Sequence, residues 1–86
     1  MIRIEKSETG DLVTFVLSGR IQAEDLPELK RVIESYSKPP VLDLAAVKLV
    51  DRAAITFLAN FETDNAAIAN CPPYIREWIR REQAQP

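Results

Sequence analysis

The hydrophobic pattern at the start of the chain is that of β-strands. Ile2 and Ile4 alternate with charged residues, and residues 12–17, LVTFVL, are rich in β-branched and aromatic side chains. The Thr-Gly-Asp sequence between them, residues 9–11, has the composition of a tight turn. We therefore predict an antiparallel hairpin that ends near Ser18–Arg20.

The next segment changes to a helical period. Asp25 and Glu28 have the spacing of a capping box, and Pro27 is compatible with a first helical turn. The pair Pro39 and Pro40 ends the predicted helix. Its apolar face comprises Leu26, Leu29, Ile33 and Tyr36.

The chain is organised around residues 39–61, which we interpret as a strand, a short loop and a helix. The short apolar run of Val41, Leu42 and Leu44 suits a strand buried on both faces. We expect residues 45–50 to form the loop. Asp51 is then the helix N-cap, because its carboxylate can accept hydrogen bonds from the first free backbone amides. The predicted inward stripe of this helix comprises Ala54, Phe57, Leu58 and Phe61.

The last third of the chain predicts a short strand and a final helix. Residues 62–65 are a polar link, residues 66–71 are a short strand at the sheet edge, and Pro72 and Pro73 open the helix. We expect Ile75, Trp78 and Ile79 to face inward. The predicted solvent-facing residues are Arg76, Glu77, Arg80, Arg81 and Glu82, with Glu77 and Arg81 paired at i, i+4. Residues 83–86 should fray.

These elements follow the order β-β-α-β-α-β-α and predict an α/β fold. Strands two, three and four are joined through helices, so they should be parallel with right-handed crossovers. We expect one domain, residues 1–86, with a four-stranded mixed sheet and helices packed against it.

Composition excludes several classes of function. The chain has 86 residues and a formal net charge of -2, which disfavours nucleic acid as a partner. It has no histidine, which removes the commonest general base and metal ligand, and only two glycines, too few for a phosphate-binding loop. We expect no cofactor and no metal. The N-terminal residues lack the apolar core of a signal peptide, and no segment is long and apolar enough to insert in a membrane, so we expect a cytoplasmic protein.

The element order and residues 41–59, VLDLAAVKLVDRAAITFLA, resemble the STAS domain, the sulphate transporter and anti-sigma-factor antagonist family. Residues 42–44, Leu-Asp-Leu, are similar to the buried strand of that family, and Val50-Asp51 to its approach to the helix. The sequence LSGRI, residues 17–21, is similar to the exit of its second strand. The resemblance covers most of the chain and implies the STAS fold without its final strand and helix.

The chain departs from the family at the phosphorylation switch. Ala53 stands where antagonists carry the Ser or Thr that a kinase phosphorylates, Arg52 replaces the residue before it and Ala54 replaces the following Gly. Alanine has no oxygen to phosphorylate. The resemblance therefore implies a phosphorylation-independent interaction module whose partner-binding residues are Asp51, Arg52, Ala53 and Thr56.

The resemblance implies a protein partner of one of three kinds. It is a regulatory kinase-like protein, another protein of a sigma-factor pathway, or the ATPase of an ABC transporter to which this chain is an accessory subunit. A homodimer formed through an open sheet edge is a further alternative.

Some of the residues that we single out also have a purely structural interpretation. Asp51 can be a helix cap alone, and Asp43 can either bind loop amides or shape a charged pocket with Asp51. Arg52 in the first helical turn interacts unfavourably with the helix dipole, by about 0.3–1 kcal/mol, unless Asp51 or a carboxylate of a partner pairs with it. It can also be a solvated surface residue.

Cys71 and the aromatic residues near it raise a second set of alternatives. Cys71 precedes a helix start, a position that can activate a thiol, although we favour a small buried core thiol. Tyr74 and Trp78 are either core residues or an anchor for a partner. We predict that the protein is not an enzyme, and keep a thiol-based enzyme or redox sensor at Cys71 as a remote alternative.

Overall fold

The computed structural model describes residues 2–63 and 66–84 and confirms the predicted element order. Residues 64–65 of the predicted link and 85–86 of the predicted tail lie outside the described residues. The elements are β1 (Ile2–Thr9), β2 (Leu12–Ile21), a 3₁₀ turn (Ala23–Asp25), α1 (Leu26–Glu34), β3 (Pro40–Val50), α2 (Arg52–Thr63), β4 (Ala67–Ala69) and α3 (Pro73–Ala84).

The sheet is mixed, and its strands lie side by side in the order in which they follow along the chain. β1 and β2 form the predicted antiparallel hairpin, and the β2–β3 and β3–β4 pairs are parallel. Gly10 has a φ of 59° in the hairpin turn, a conformation that suits glycine. Because the strand order advances in one direction, right-handed crossovers place α1 and α2 on the same face of the sheet.

The two central strands are longer than the sequence predicts. Residues 45–50, expected to form a loop, continue β3, and β2 extends to Ile21 instead of ending near residues 18–20. The reason is mutual pairing, since the β2–β3 ladder continues, with two irregularities, to the partners Ile21 and Val50. A ladder of backbone hydrogen bonds outweighs the weak strand preference of Ala45 and Ala46.

β4 covers only the first part of the outer edge of β3, pairing with residues 41–43. Side chains satisfy part of the remaining edge. Asp43 Oδ1 accepts a hydrogen bond from the Ala45 amide at 3.0 Å, and the Tyr74 hydroxyl donates one to the Lys48 carbonyl at 2.6 Å. Tyr74 is 50% exposed, so its interpretation as a core residue is wrong.

The core lies between one face of the sheet and the helices. Leu42 and Leu44 are fully buried, whereas Val41 and Asp43, which alternate with them, are half-buried. The prediction of a strand buried on both faces is therefore wrong, because both crossover helices pack on the same side. The helices contribute Leu26, Leu29, Ala54, Ile55, Leu58, Ala59, Ile75 and Ile79 to this core.

The capping box before α1 is three residues earlier than the sequence predicts. The backbone N–H of Gln22 donates to Asp25 Oδ2 at 2.9 Å, and the Asp25 N–H donates to the Gln22 carbonyl at 2.9 Å. These bonds close the 3₁₀ turn, and α1 begins only after it. Asp25 and Glu28 therefore do not form the predicted box.

α3 is attached to α2 by polar contacts that the sequence does not predict. Arg76, expected to face water, donates a hydrogen bond to Glu62 Oε1 at 2.8 Å, and Gln83 Nε2 donates to the same oxygen at 3.0 Å. Glu62 belongs to α2 and not to a link. Glu77 and Arg81 are both exposed and are not among the ion pairs of the described residues.

Trp78 is half-buried against the core, so the expectation that it is an inward-facing core residue is only partly met. In the part of the chain that the structure describes, no helix has the length and apolar character needed to cross a membrane.

Candidate functional site

Asp51 is the N-cap of α2, as the sequence predicts. Its Oδ1 accepts a hydrogen bond of 2.9 Å from the backbone N–H of Ala54, the third residue of the helix. Its Oδ2 accepts a bond of 2.9 Å from the N–H of Ala23, in the turn that leads to α1. The Asp51 N–H donates to the Ile21 carbonyl at 3.2 Å. One residue thus holds the starts of both crossover helices together at the carboxyl ends of β2 and β3.

Asp43 is remote from Asp51. The two residues are eight positions apart along β3 and its end, about 25 Å at the rise of a strand. The Asp43 carboxylate binds the Ala45 amide and the Asn70 side-chain amide, each at 3.0 Å. The predicted role of binding loop amides is met only in part, because Ala45 lies within β3 and Asn70 donates through its side chain. The predicted charged pocket shared with Asp51 is wrong.

Arg52 and Thr56 share a carboxylate supplied by α3. Arg52 Nη2 lies 4.0 Å from Glu82 Oε1, and the Thr56 hydroxyl donates a hydrogen bond of 3.3 Å to Glu82 Oε2. The Arg52 side chain is 74% exposed and that of Glu82 only 20%. The sequence interpretation paired Arg52 with Asp51 or a partner, and placed Glu82 in solvent. The fold instead brings Glu82 to the first two turns of α2.

Ala53 and Thr56 lie on the wall of an open groove between α1 and α2, which we call the α1–α2 groove. Its volume is about 490 Å³. The α1 side is lined by Leu26, Lys30, Ile33 and Glu34. The α2 side is lined by Ala53, Thr56, Phe57, Asn60 and Phe61.

Two aromatic residues give the groove its apolar surface. Phe57 and Phe61, predicted to face the sheet, are half-buried, and their ring centroids are 6.1 Å apart. Ile55 and Ala59 take the expected core positions beside Ala54 and Leu58. Lys30 Nζ lies 5.8 Å from the centroid of the Phe57 ring, within the range of a cation–π contact.

Sequence reasoning missed Glu82, Lys30 and the groove-facing position of the two phenylalanines. The spacing of Phe57 and Phe61 indicates that both phenylalanines lie on one side of the helix. Ile55 and Ala59 form a second apolar pair on the adjacent side, and this pair could have shown that the phenylalanines lie at the border of the core. Lys30 and Glu82 carry no local signal, because their contacts are made with residues 27 and 26 positions away in the chain.

Cys71 does not have the environment of an activated thiol. It is half-buried, and burial raises the pKa of its thiol, although the charge of Arg76 acts in the opposite direction. This direction does not support the remote alternative of a thiol activated at a helix start. The described ranges contain no group of three or more cysteines and acidic residues placed to hold a metal ion.

Structural comparisons identify the fold. The chain superimposes on the anti-sigma factor antagonist SpoIIAA in its unphosphorylated form with a TM-score of 0.65 and 9% identity, over 91% of this chain and 82% of SpoIIAA. It superimposes on an uncharacterised DUF3478 protein with a SpoIIAA-like fold from Shewanella loihica PV-4 with a TM-score of 0.56 and 17% identity, over 93% and 74% of the two chains.

The fold also matches part of a larger protein. The crystal structure of Mglu aligns with a TM-score of 0.63 and 20% identity over 79% of this chain, which corresponds to 19% of Mglu. No protein-family model and no curated protein sequence matches the chain. The resemblance seen in residues 41–59 is thus supported at the level of the fold, and the chain has the SpoIIAA-like fold of a STAS domain.

Proposed function

We propose that this chain is a non-catalytic protein-interaction module that binds a protein partner through the start of α2 and does not depend on phosphorylation. The observation that supports this proposal is the placement of the predicted binding residues. Ala53 and Thr56 line the α1–α2 groove, and Arg52 projects into solvent at the start of the same helix. An exposed cation beside apolar side chains is a typical surface for a protein contact.

Asp51 contributes to this surface by positioning it. Both of its carboxylate oxygens are occupied by the amides of Ala23 and Ala54, so its charge holds the helix starts in place. The groove and the cation beside it are then largely formed before a partner binds, which lowers the entropic cost of association.

Two side chains at and near the family's switch position support independence from phosphorylation. Ala53 has no hydroxyl group, and the nearby hydroxyl of Thr56 is half-buried and donates its hydrogen bond to Glu82. Arg52 contributes a permanent and mostly exposed positive charge to this surface, beside the Glu82 carboxylate, and a partner should present a carboxylate to the exposed guanidinium.

Site-specific photocrosslinking in the host cell tests the proposal. A photoreactive amino acid at Arg52 should form a covalent adduct with a protein partner, whereas the same group at Arg3, which is 77% exposed on β1, should not. Identification of the partner then distinguishes a sigma-pathway protein from an ABC transporter ATPase. Adducts at position 3 and none at position 52 would overturn the proposal.

Charge reversal provides the quantitative measurement on the captured partner. Arg52→Glu should weaken binding, and the loss should be larger at low salt because exposed charges are screened as ionic strength rises. Arg80→Glu, a reversal at an exposed site on α3, is the control and should leave binding unchanged. Equal affinity of Arg52→Glu and the parent at both salt concentrations would exclude this helix start as the docking site.

A further inference from the structure

β1 is an edge strand that lacks several of the features that usually prevent an edge from pairing. It is the outermost strand of the sheet, and no strand of the described ranges lies on its outer side. It runs for eight residues without a proline, and its register with β2 contains no bulge. Edges protected against pairing are commonly short, bulged or interrupted by proline. The outer side of β1 is therefore open to a further strand.

The free backbone groups of this edge belong to the even-numbered residues. The Val13 amide in β2 donates to the Pro39 carbonyl at 3.2 Å, so the odd-numbered residues of β2 point to β3 and the even-numbered residues point to β1. Val16 is therefore hydrogen-bonded to the residue opposite it, Glu5. Because the direction alternates along a strand, Ile4 and the other even-numbered residues of β1 present their N–H and C=O groups at the free edge.

The charges of β1 restrict how two copies of this edge can pair with each other. Antiparallel pairing of β1 with β1 of a second copy has a twofold axis perpendicular to the sheet, so each register places one residue opposite its own counterpart. Registers centred on Arg3, Glu5 or Lys6 set two like charges directly opposite each other, which is unfavourable.

The register centred on Ile4 is self-complementary. It sets the two half-buried Ile4 side chains against each other on the core face of the sheet, and it places Arg3 opposite Glu5 of the second copy twice. These positions are not hydrogen-bonded across the new pairing, so their side chains approach closely. Arg3 and Glu5 are 77% and 63% exposed, and their contact of 3.6 Å within one strand contributes little stability that the new pairs must replace.

One other register also opposes unlike charges. Centred on Ser7, it sets Lys6 against Glu8, but it pairs only residues 5–9 and leaves Ile4 without a partner. Glu8 is already bound to Lys6 at 3.4 Å and to Lys38 at 3.1 Å. The register centred on Ile4 is therefore the more favourable of the two.

We propose that this chain forms a homodimer in which β1 pairs antiparallel with β1 of a second copy, centred on Ile4, so that the two sheets become one. The occupant of the edge is thus a second copy of the same chain. Pairing of residues 2–6 with two ion pairs is a small interface, so the dimer should form at concentrations of about 0.1–1 mM. The inference does not rest on the proposed function, which concerns the start of α2.

Cysteine crosslinking in a Cys71→Ser background tests the register. Ile4→Cys places two thiols opposite each other with a Cα separation of about 5.5 Å, within the range of a disulfide. Ser7→Cys is the matched control, because its two copies are about 20 Å apart in this register. In a glutathione redox buffer, with the protein at about 1 mM, Ile4→Cys should form a covalent dimer and Ser7→Cys should not, although Ser7 is the more exposed.

The other results of this experiment contradict the proposal. A covalent dimer of Ser7→Cys alone would overturn the register, and equal crosslinking at the two positions would indicate random collisions. Absence of crosslinking in both variants would overturn the dimer.

Charge reversal tests the two ion pairs, with the dissociation constant measured by analytical ultracentrifugation. Arg3→Glu and Glu5→Arg each create two pairs of like charges and should raise this constant by about tenfold at low salt. The double reversal should restore it, and Arg80→Glu on α3 is the control that should leave it unchanged. Single reversals without effect, or a double variant no better than either, would overturn the pairing of Arg3 with Glu5.

The dimer and the proposed function can fail separately. A photoreactive group at position 3 should give an adduct only with a second copy, at twice the mass of the chain, whereas the group at position 52 captures a different protein. A monomer that yields the adduct at position 52 would remove the dimer alone. A dimer without that adduct would remove the proposed function and support the pairing of β1.

Discussion

Asp51 and Ala23 are joined by a hydrogen bond of 2.9 Å from the Ala23 amide to Asp51 Oδ2, across 28 positions of sequence. The same carboxylate caps α2 through the Ala54 amide. The bond connects the two turns that follow β2 and β3, and so determines where the α1–α2 groove begins.

We predict that Asp51→Ala lowers the free energy of unfolding by about 1–2 kcal/mol, because it removes a helix cap worth about 1 kcal/mol and the hydrogen bond from the exposed Ala23 amide. Asp51→Asn should lose less, since its amide oxygen can still accept from Ala54. Urea unfolding measures both. Glu24→Ala, at an exposed position, is the control, and equal losses for Asp51→Ala and this control would contradict the prediction.

Trp78 and Ile75 should respond differently to truncation. Ile75 is fully buried, so Ile75→Ala should cost about 2–5 kcal/mol. Trp78 is half-buried, and Trp78→Ala should cost about 1–2 kcal/mol, below the 3–5 kcal/mol typical of a buried tryptophan. The chain has one tryptophan, so its fluorescence follows unfolding directly in the Ile75 variant, and circular dichroism is required for the other. A larger loss for Trp78→Ala would show that its ring is a core residue.

Stability should fall in acid partly through Glu62. The hydrogen bond from Arg76 lowers the pKa of Glu62 below its ordinary value of 4.5. A carboxyl whose pKa is lower in the folded state stabilises the fold above its unfolded pKa, and this contribution is lost as pH falls through the folded pKa. Glu62→Gln should therefore reduce the difference in unfolding free energy between about pH 6 and about pH 3.

Glu8 provides the comparison for this measurement. Hydrogen bonds from Lys38 and Lys6 also lower the pKa of Glu8, but its side chain is 39% exposed and solvent screens the interaction. Glu8→Gln should change the difference in unfolding free energy between about pH 6 and about pH 3 less than Glu62→Gln does. The reverse order would show that the hairpin, and not the contact between α2 and α3, carries the pH dependence.

An anti-sigma-type kinase supplied with ATP should transfer no phosphate to residues 51–56. Ala53 lacks an acceptor oxygen, and the Thr56 hydroxyl is engaged with Glu82. Mass spectrometry of the protein after incubation is the measurement, and a STAS antagonist that carries the hydroxyl is the positive control. Phosphate found on Thr56 would show that the contact with Glu82 opens and that the switch persists at a new position.

Cys71 should react slowly with a thiol-specific dye in the native protein, because burial raises the pKa of its thiol and reduces access. Labelling should accelerate at least about tenfold in urea. Glu77→Cys in a Cys71→Ser background supplies an exposed thiol for comparison. Native Cys71 that labels as fast as this control would revive the alternative of a thiol-based site.

The element order, the strand directions and the cap at Asp51 could be predicted from the sequence because they depend on local information. A hydrophobic period of two or 3.6 residues predicts which side of a strand or helix faces the core. An aspartate directly before an apolar helix predicts a capping hydrogen bond to the first turn of that helix. The same local information supports the STAS resemblance. It does not reveal that residues 45–50 are a strand, since that segment of β3 is stabilised by pairing with β2.

The candidate site was decided by tertiary structure. Phe57 and Phe61 share a helical stripe with core residues, and only the position of α1 determines that they line a groove. Glu82 reaches Arg52 and Thr56 because α3 packs along α2, and a charge on the surface of one helix carries no information about which helix lies beside it. The sequence by itself determined which residues begin α2, whereas packing between helices distant in the chain decided what surrounds them.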